Sequence, residues 1–145
     1  MQRIKIEAPG SYPFSTEIPV RITDLNYGGH VGNDAFLSLV HEARVRYLQS
    51  LGYSELNVEG FGLIMADAAI RFSKELFYGD VVTIEVAATG FTTVSFDLIY
   101  QLKVKRDDVL VTAGLAKTGM VLIDRTNRKK ASLPERVIQL LQGGH

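Results

Sequence analysis

The sequence predicts an α+β fold: one strongly curved antiparallel sheet wrapped around one long central helix. Three observations lead there. The single long helical stretch, starting at Asn33 or Asp34 and ending before Gly52, carries apolar residues around well over half of its wheel, including Ala35, Phe36, Leu39, Val40, Ala43 and Tyr47. A surface helix shows a narrower stripe, so this one needs cover on several sides. The second half of the chain is a succession of four strand-like stretches, and the links between them are too short for the crossovers that parallel strands require.

The elements follow in order. Residues 1–15, with Pro9, Gly10 and Pro13, form an arm leading into the domain. From Thr16 to Thr23, Ile18, Val20 and Ile22 alternate with Glu17, Pro19 and Arg21, the pattern of a half-buried strand. Pro19 cannot donate to a ladder and belongs at an edge. Asn33 or Asp34 caps the helix through a short side-chain oxygen, and Gly52 suits the left-handed position beyond its end. The helix spans about 27 Å at about 1.5 Å per residue. Its polar arc holds Asp34, Ser38, His41 and Glu42.

After an irregular link over 53–60, Ile64, Ala66, Ala68, Ile70 and Phe72 alternate with Met65, Asp67, Ala69, Arg71 and Ser73. Gly79-Asp80 marks a turn. Val81 to Ala88 is a β-branched strand, and Val94 to Val104 has the cleanest period of two in the chain. Val109 to Ile123 is a long strand in which Gly114 and Gly119 suit bulges or close approaches. Asp124 to Lys130 is a charged turn, and Ser132-Leu-Pro-Glu135 reads as a capping box opening a short helix over about 133–141. The last four strands are expected to form a meander. No linker or repeat divides the chain, so residues 1–145 are expected to form one domain with its core at about 16–123.

Composition narrows the function. Sixteen basic residues balance sixteen acidic ones, which argues against a nucleic-acid footprint. The absence of Cys rules out disulfides and thiolate metal sites. His30, His41 and His145 lack metal-ligand spacing, so no metal is expected. No apolar run approaches the ~18 residues of a membrane span, and the first residues lack a signal-peptide core. A cytoplasmic protein without a membrane partner is expected.

The chemistry-bearing stretch is the glycine-rich loop D-L-N-Y-G-G-H-V-G-N-D at 24–34. It opens like a calcium loop, but position twelve is Ala35 where that motif needs Glu. Tyr27 occupies the place of the first glycine of a dinucleotide fingerprint. There is no phosphate loop and no G-x-S-x-G elbow. What remains is a polar loop running into a helix N-terminus, whose free N–H groups can hold an anion or an oxyanion. Equally, Gly, Asn and Asp are the residues that turn a strand sharply into a helix.

This loop, followed by H-E-A-R at 41–44, resembles the D-x-D-x-x-G-H-V-N-N…E-A-R pattern of hotdog-fold thioesterases of the 4-hydroxybenzoyl-CoA thioesterase type. Asp24, Gly29, His30, Val31, Asn33, Glu42, Ala43 and Arg44 match, and the resemblance covers residues 16–123. It implies a homodimer or dimer of dimers, with sites at subunit interfaces. It implies hydrolysis of an acyl-CoA or acyl-carrier-protein thioester with no cofactor beyond the coenzyme A of the substrate. Asn26 stands where the family has its catalytic Asp, and Gly32 replaces an Asn. An amide cannot act as a basic carboxylate but can orient water. Asn26 therefore also favours a non-catalytic protein that binds acyl thioesters.

Among candidate water-activating carboxylates, Glu42 ranks first, because its side chain leans back toward the helix start. Asp24 ranks second and Asp34 third, the latter's charge being stabilised by the helix dipole. Glu42 has an alternative as the i,i+4 partner of Arg46, and Asp34 as a cap. His30 positions substrate or water, or ties the loop down. Tyr27, Gly29, Val31, Gly32 and Asn33 form the expected substrate-binding set, with backbone N–H groups near Gly32–Asp34 holding the oxyanion. Asp67 and Arg71 are expected to pair on one strand face.

Overall fold

The computed structural model describes residues 1–143. Among these residues six strands form one antiparallel sheet: β1 Phe14–Pro19, β2 Gly62–Phe72, β3 Val81–Thr89, β4 Ser95–Arg106, β5 Val109–Asp124 and the short β6 Lys129–Lys130. The helices are α1 Asn33–Ser50 and α2 Glu135–Leu141. The strand order is β1-β3-β4-β5-β2, with β6 beside β5. The α1 residues Phe36, Leu39, Val40, Ala43 and Tyr47 share one core with the inward residues Val82, Ile84, Leu98, Tyr100 and Leu102 of β3 and β4. The sheet thus curves around α1, as its wide apolar stripe requires. α2 covers the far end, where the Tyr47 hydroxyl donates to the Leu141 carbonyl at 2.8 Å.

Several expectations need correction. The first strand ends at Pro19, paired with Val81 at the sheet edge. Ile22–Asp24 is instead a 3-10 turn, because the Asp24 carboxylate takes the Arg21 N–H at 2.8 Å and closes it. The N-cap of α1 is Gly32, and no side chain caps that end. Pro134 is the N-cap of α2 without a side-chain bond, so the capping box at Ser132–Glu135 does not form. Gly52 does follow the helix with φ 83.

The meander runs through β3, β4 and β5 only; β2 lies beyond β5 at the opposite edge from β1. Segment 73–80 makes this possible by crossing the sheet end. Ser73 and Lys74 N–H donate to the Ala113 carbonyl at 2.9 and 3.1 Å. Further along, Arg106 at the end of β4 holds the Glu75 carbonyl at 3.0 Å and Asp80 at 2.8 Å. β4 is paired on both sides, with β3 and with β5. β2 breaks its alternation at a bulge between Met65 and Asp67, and Ile64 and Met65 are about half exposed. Asp67 pairs across strands with Lys117 at 2.7 Å, not with Arg71. Gly114 permits a close approach: a Cβ there would lie 2.9 Å from the Arg71 carbonyl and 3.5 Å from the Phe36 ring.

The amino-terminal arm covers the outer face of the sheet. Lys5, Ile6 and Glu7 lie over Ala69, Asp97, Ile99 and Lys117, and the Arg3 guanidinium donates to the Phe72 carbonyl at 3.0 Å. Ile99, which borders the arm, is buried yet outside the main core.

Candidate active site

Residues 24–32 form a closed loop. Leu25 and Val31 make an antiparallel bridge. Asn26 N–H donates to the His30 carbonyl at 2.9 Å, and Gly32 N–H to the Asp24 carbonyl at 3.2 Å. The tip is turned by the Asn26 Oδ1, which accepts the Gly28 N–H at 2.8 Å, and by Gly29 with φ 82, a conformation that a Cβ disfavours.

One hydrogen bond ties this loop to the crossing segment: Val31 N–H donates to the Leu76 carbonyl at 2.8 Å. The residues just before each end of that bond, His30 and Glu75, face one another with Nε2 and Oε1 4.0 Å apart. His30 Nδ1 lies 3.3 Å from the Val31 carbonyl. A carbonyl oxygen only accepts, so Nδ1 carries the proton in that contact and Nε2 keeps its lone pair in the neutral ring.

A cavity of about 190 Å³ opens here, lined by His30, Val31, Asn33, Phe36, Phe72 and Ser73–Glu75. Phe36 and Phe72 meet edge to face, with centroids 4.9 Å apart, a favourable aromatic geometry. The start of α1 borders the same cavity through Asn33. The Phe36 N–H bonds to the Gly32 carbonyl at 3.1 Å. The N–H groups of Asn33, Asp34 and Ala35 precede it, lack a capping side chain, and carry the partial positive charge of the helix end.

The other expected site residues do not line this cavity. Asp24 is buried and both its oxygens are occupied by Arg21. Glu42 binds Arg46 at 2.9 Å, and Arg46 also reaches Thr16 and the Glu17 carbonyl at 2.9 Å, so this pair faces β1. Asp34 is exposed, with its Oδ1 folded toward Gly32. Tyr27 projects fully into solvent. His30, Val31 and Asn33 are brought together at the cavity wall. Sequence reasoning overlooked Phe72 and Glu75; the one available signal was the polar Ser73–Glu75 run after an apolar strand.

A second cavity of about 210 Å³ lies along α1, lined by Leu37, Ser38, Val40, His41, Arg44, Met65 and Thr118. Arg44 is buried there. Its Nε donates to Glu55 at 2.9 Å and its Nη1 to the Tyr100 hydroxyl at 3.3 Å, which also meets Thr118 Oγ1 at 2.7 Å. His41 Nε2 lies 3.1 Å from the same Glu55 oxygen. Burial pushes the Tyr100 phenol up, against the pull of Arg44. Among the described residues no three His, Cys, Asp or Glu side chains are grouped to hold a metal ion. No described helix is long and apolar enough to cross a membrane.

A sheet curved around one helix, with a cavity where a polar loop enters that helix, defines a class. The chain belongs to the thioesterase-like superfamily, whose model matches residues 20–141, and its fold is the hotdog fold expected above. The 1,4-dihydroxy-2-naphthoyl-CoA hydrolase of Microcystis aeruginosa is 31% identical to it over 122 residues, covering 80% of this chain and 83% of that protein. The hydrolase of the same name from Nostoc punctiforme is 27% identical over 135 residues, covering 89% and 86%. Among solved structures, the 1,4-dihydroxy-2-naphthoyl-CoA thioesterase of Synechocystis superposes with a TM-score of 0.77 at 28% identity, covering 88% of this chain and 94% of that one. A mutant of 4-hydroxybenzoyl CoA thioesterase complexed with 4-hydroxybenzoyl CoA shares the fold, with a TM-score of 0.78 at 18% identity over 88% and 97%.

Proposed function

We propose that this protein hydrolyses an aromatic acyl-CoA thioester to the free acid and coenzyme A. The observation that carries the reading is the Phe36–Phe72 pair in a cavity bordered by the start of α1. An aromatic acyl group packs against those rings, and its carbonyl oxygen lies toward the N–H groups of Asn33 to Ala35. Water adds to the carbonyl carbon. The negative charge that develops on the oxygen is held by those dipoles, the usual source of the largest catalytic gain in acyl transfer. Collapse of the intermediate breaks the C–S bond. The reaction needs water and no cofactor beyond the coenzyme A carried by the substrate. Relatives named for a naphthoyl-CoA substrate support the aromatic choice.

A panel of aroyl-CoA, straight-chain acyl-CoA and acyl-carrier-protein thioesters, with released thiol followed by a thiol reagent, tests this. Aroyl-CoA is expected to exceed straight-chain substrates by about tenfold or more in kcat/KM, the discrimination that a shaped apolar pocket supplies. An aliphatic or carrier-protein preference refutes it. Asn26 favours a second reading, a protein that binds acyl thioesters without turnover. Its signature is calorimetric binding of aroyl-CoA with no thiol released.

The assembly belongs to the same proposal. β2 has β5 on one side and no strand on the other among the described residues. Pairing two β2 edges in a homodimer removes a free edge and brings Met65, beside the second cavity, against a second copy. A dimer of dimers builds on the same pair. A coenzyme A substrate fits a cytoplasmic site of action.

A further inference from the structure

We propose that His30 and Glu75 together hold and activate the attacking water, Glu75 supplying the carboxylate that Asn26 lacks. The inference rests on the thioesterase reading above. Three observations on separate stretches of chain carry it.

The first is the spacing. A single water donating two hydrogen bonds of about 2.8 Å at its natural angle sets its acceptors about 4.4 Å apart. His30 Nε2 and Glu75 Oε1 stand 4.0 Å apart, too far for a direct hydrogen bond and suited to one bridged by water. Because Nδ1 is committed to the Val31 carbonyl, Nε2 accepts, as does the carboxylate. A water that gives both its protons to these two groups turns its lone pairs away from them, toward an acyl carbon in the cavity.

The second is preorganisation. Both side chains sit beside the ends of the Val31–Leu76 hydrogen bond. The backbone on either side of Glu75 is pinned, by Ser73 and Lys74 N–H on the Ala113 carbonyl and by Leu76, which is fully buried. Arg106 holds the Glu75 carbonyl itself. Such support fixes the backbone from which the largely exposed Glu75 carboxylate reaches toward His30 before substrate arrives.

The third is availability. Glu75 is the one carboxylate lining this cavity, and the basic side chain facing it among the described residues is His30, 4.0 Å away. The Asp24 oxygens belong to Arg21, and Glu42 belongs to Arg46.

The step balances. The water oxygen bonds to the thioester carbon while its proton passes to His30 Nε2, and the Glu75 carboxylate stabilises the imidazolium formed. When the C–S bond breaks, that proton moves from Nε2 to the departing sulfur, which leaves as coenzyme A thiol. The products are the acid and the thiol, and both side chains return to their starting state.

Steady-state kinetics on the best substrate of the panel test this with Glu75→Gln, Glu75→Asp, His30→Gln and the double variant Glu75→Gln/His30→Gln, alongside melting curves. Glu75→Gln and His30→Gln are each expected to lower kcat by about 10²-fold or more, with KM within about threefold. Because both groups act on one water, the double variant falls little further than the worse single one. Glu75→Asp keeps the charge and recovers at least about tenfold over Glu75→Gln. A kcat within about threefold of the parent in Glu75→Gln overturns the proposal, as does a loss confined to KM or a Glu75→Asp no better than Glu75→Gln. A parent inactive on the whole panel overturns the thioesterase reading and this inference together; an active parent with an unaffected Glu75→Gln overturns this inference alone.

Discussion

The Tyr100 hydroxyl joins two buried groups, Arg44 Nη1 and Thr118 Oγ1. Tyr100→Phe changes little volume but leaves both without that partner. An unsatisfied buried polar group costs about 1–3 kcal/mol, and the denaturant midpoint should fall accordingly; an unchanged midpoint refutes the network's role. Arg44 stands in the matched E-A-R run, yet nothing in that run tells that it reaches Glu55 on one side and Tyr100 on the other. His30, Val31 and Asn33 were legible because they are contiguous and the loop turns on itself. Glu75 was not, because its place beside His30 depends on a backbone hydrogen bond between distant segments. Asp67 illustrates the same limit: Arg71 lies on its own strand, but the shorter reach is across the ladder to Lys117.

Segment 73–80 is the element that decides the topology, and Asp80 is its anchor. Arg106 Nη1 and Nη2 bind the two Asp80 oxygens at 2.9 and 2.8 Å, and Phe77 N–H donates at 2.8 Å. The Arg106 guanidinium, helped by that N–H, holds the Asp80 carboxyl below its usual range despite some desolvation. A depressed carboxyl favours the folded state above the unfolded-state value of about 3.9, and the contribution fades as pH falls through the folded-state value. Asp80→Asn should therefore cost about 1.5–3 kcal/mol at neutral pH, typical for bonds to a charged group. Its deficit relative to the parent should shrink in acid. A deficit independent of pH refutes the ion pair. Helix α1 and the ladder from β3 to β5 could be read from periodicity because each depends on its own residues and near neighbours. The position of β2 could not. Alternation reports which face is buried, not which strand lies alongside, and the eight-residue link looked like a hairpin connection until its bonds to Ala113 and Arg106 carried it across the sheet.

At the scale of the whole molecule the two sheet edges differ. β1 ends in Pro19, which offers no donor to a further strand, whereas β2 is long and half exposed at Ile64 and Met65. Sedimentation at micromolar concentration should show a dimer, and Ile64→Lys should shift it toward monomer, since an edge lysine opposes strand pairing. A dimer insensitive to that change places the interface elsewhere. The curved sheet around one helix was foreseeable from composition and pattern; the covering of its outer face was not, since the arm has no period of its own. That arm works mechanically as a belt rather than a tail. It is continuous with β1 at one rim, and through Arg3 it is buckled to Phe72 at the other. The buckle thus holds the backbone of a residue whose ring lines the cavity beside His30 and Phe36, so residues far from that cavity in sequence help to brace its wall.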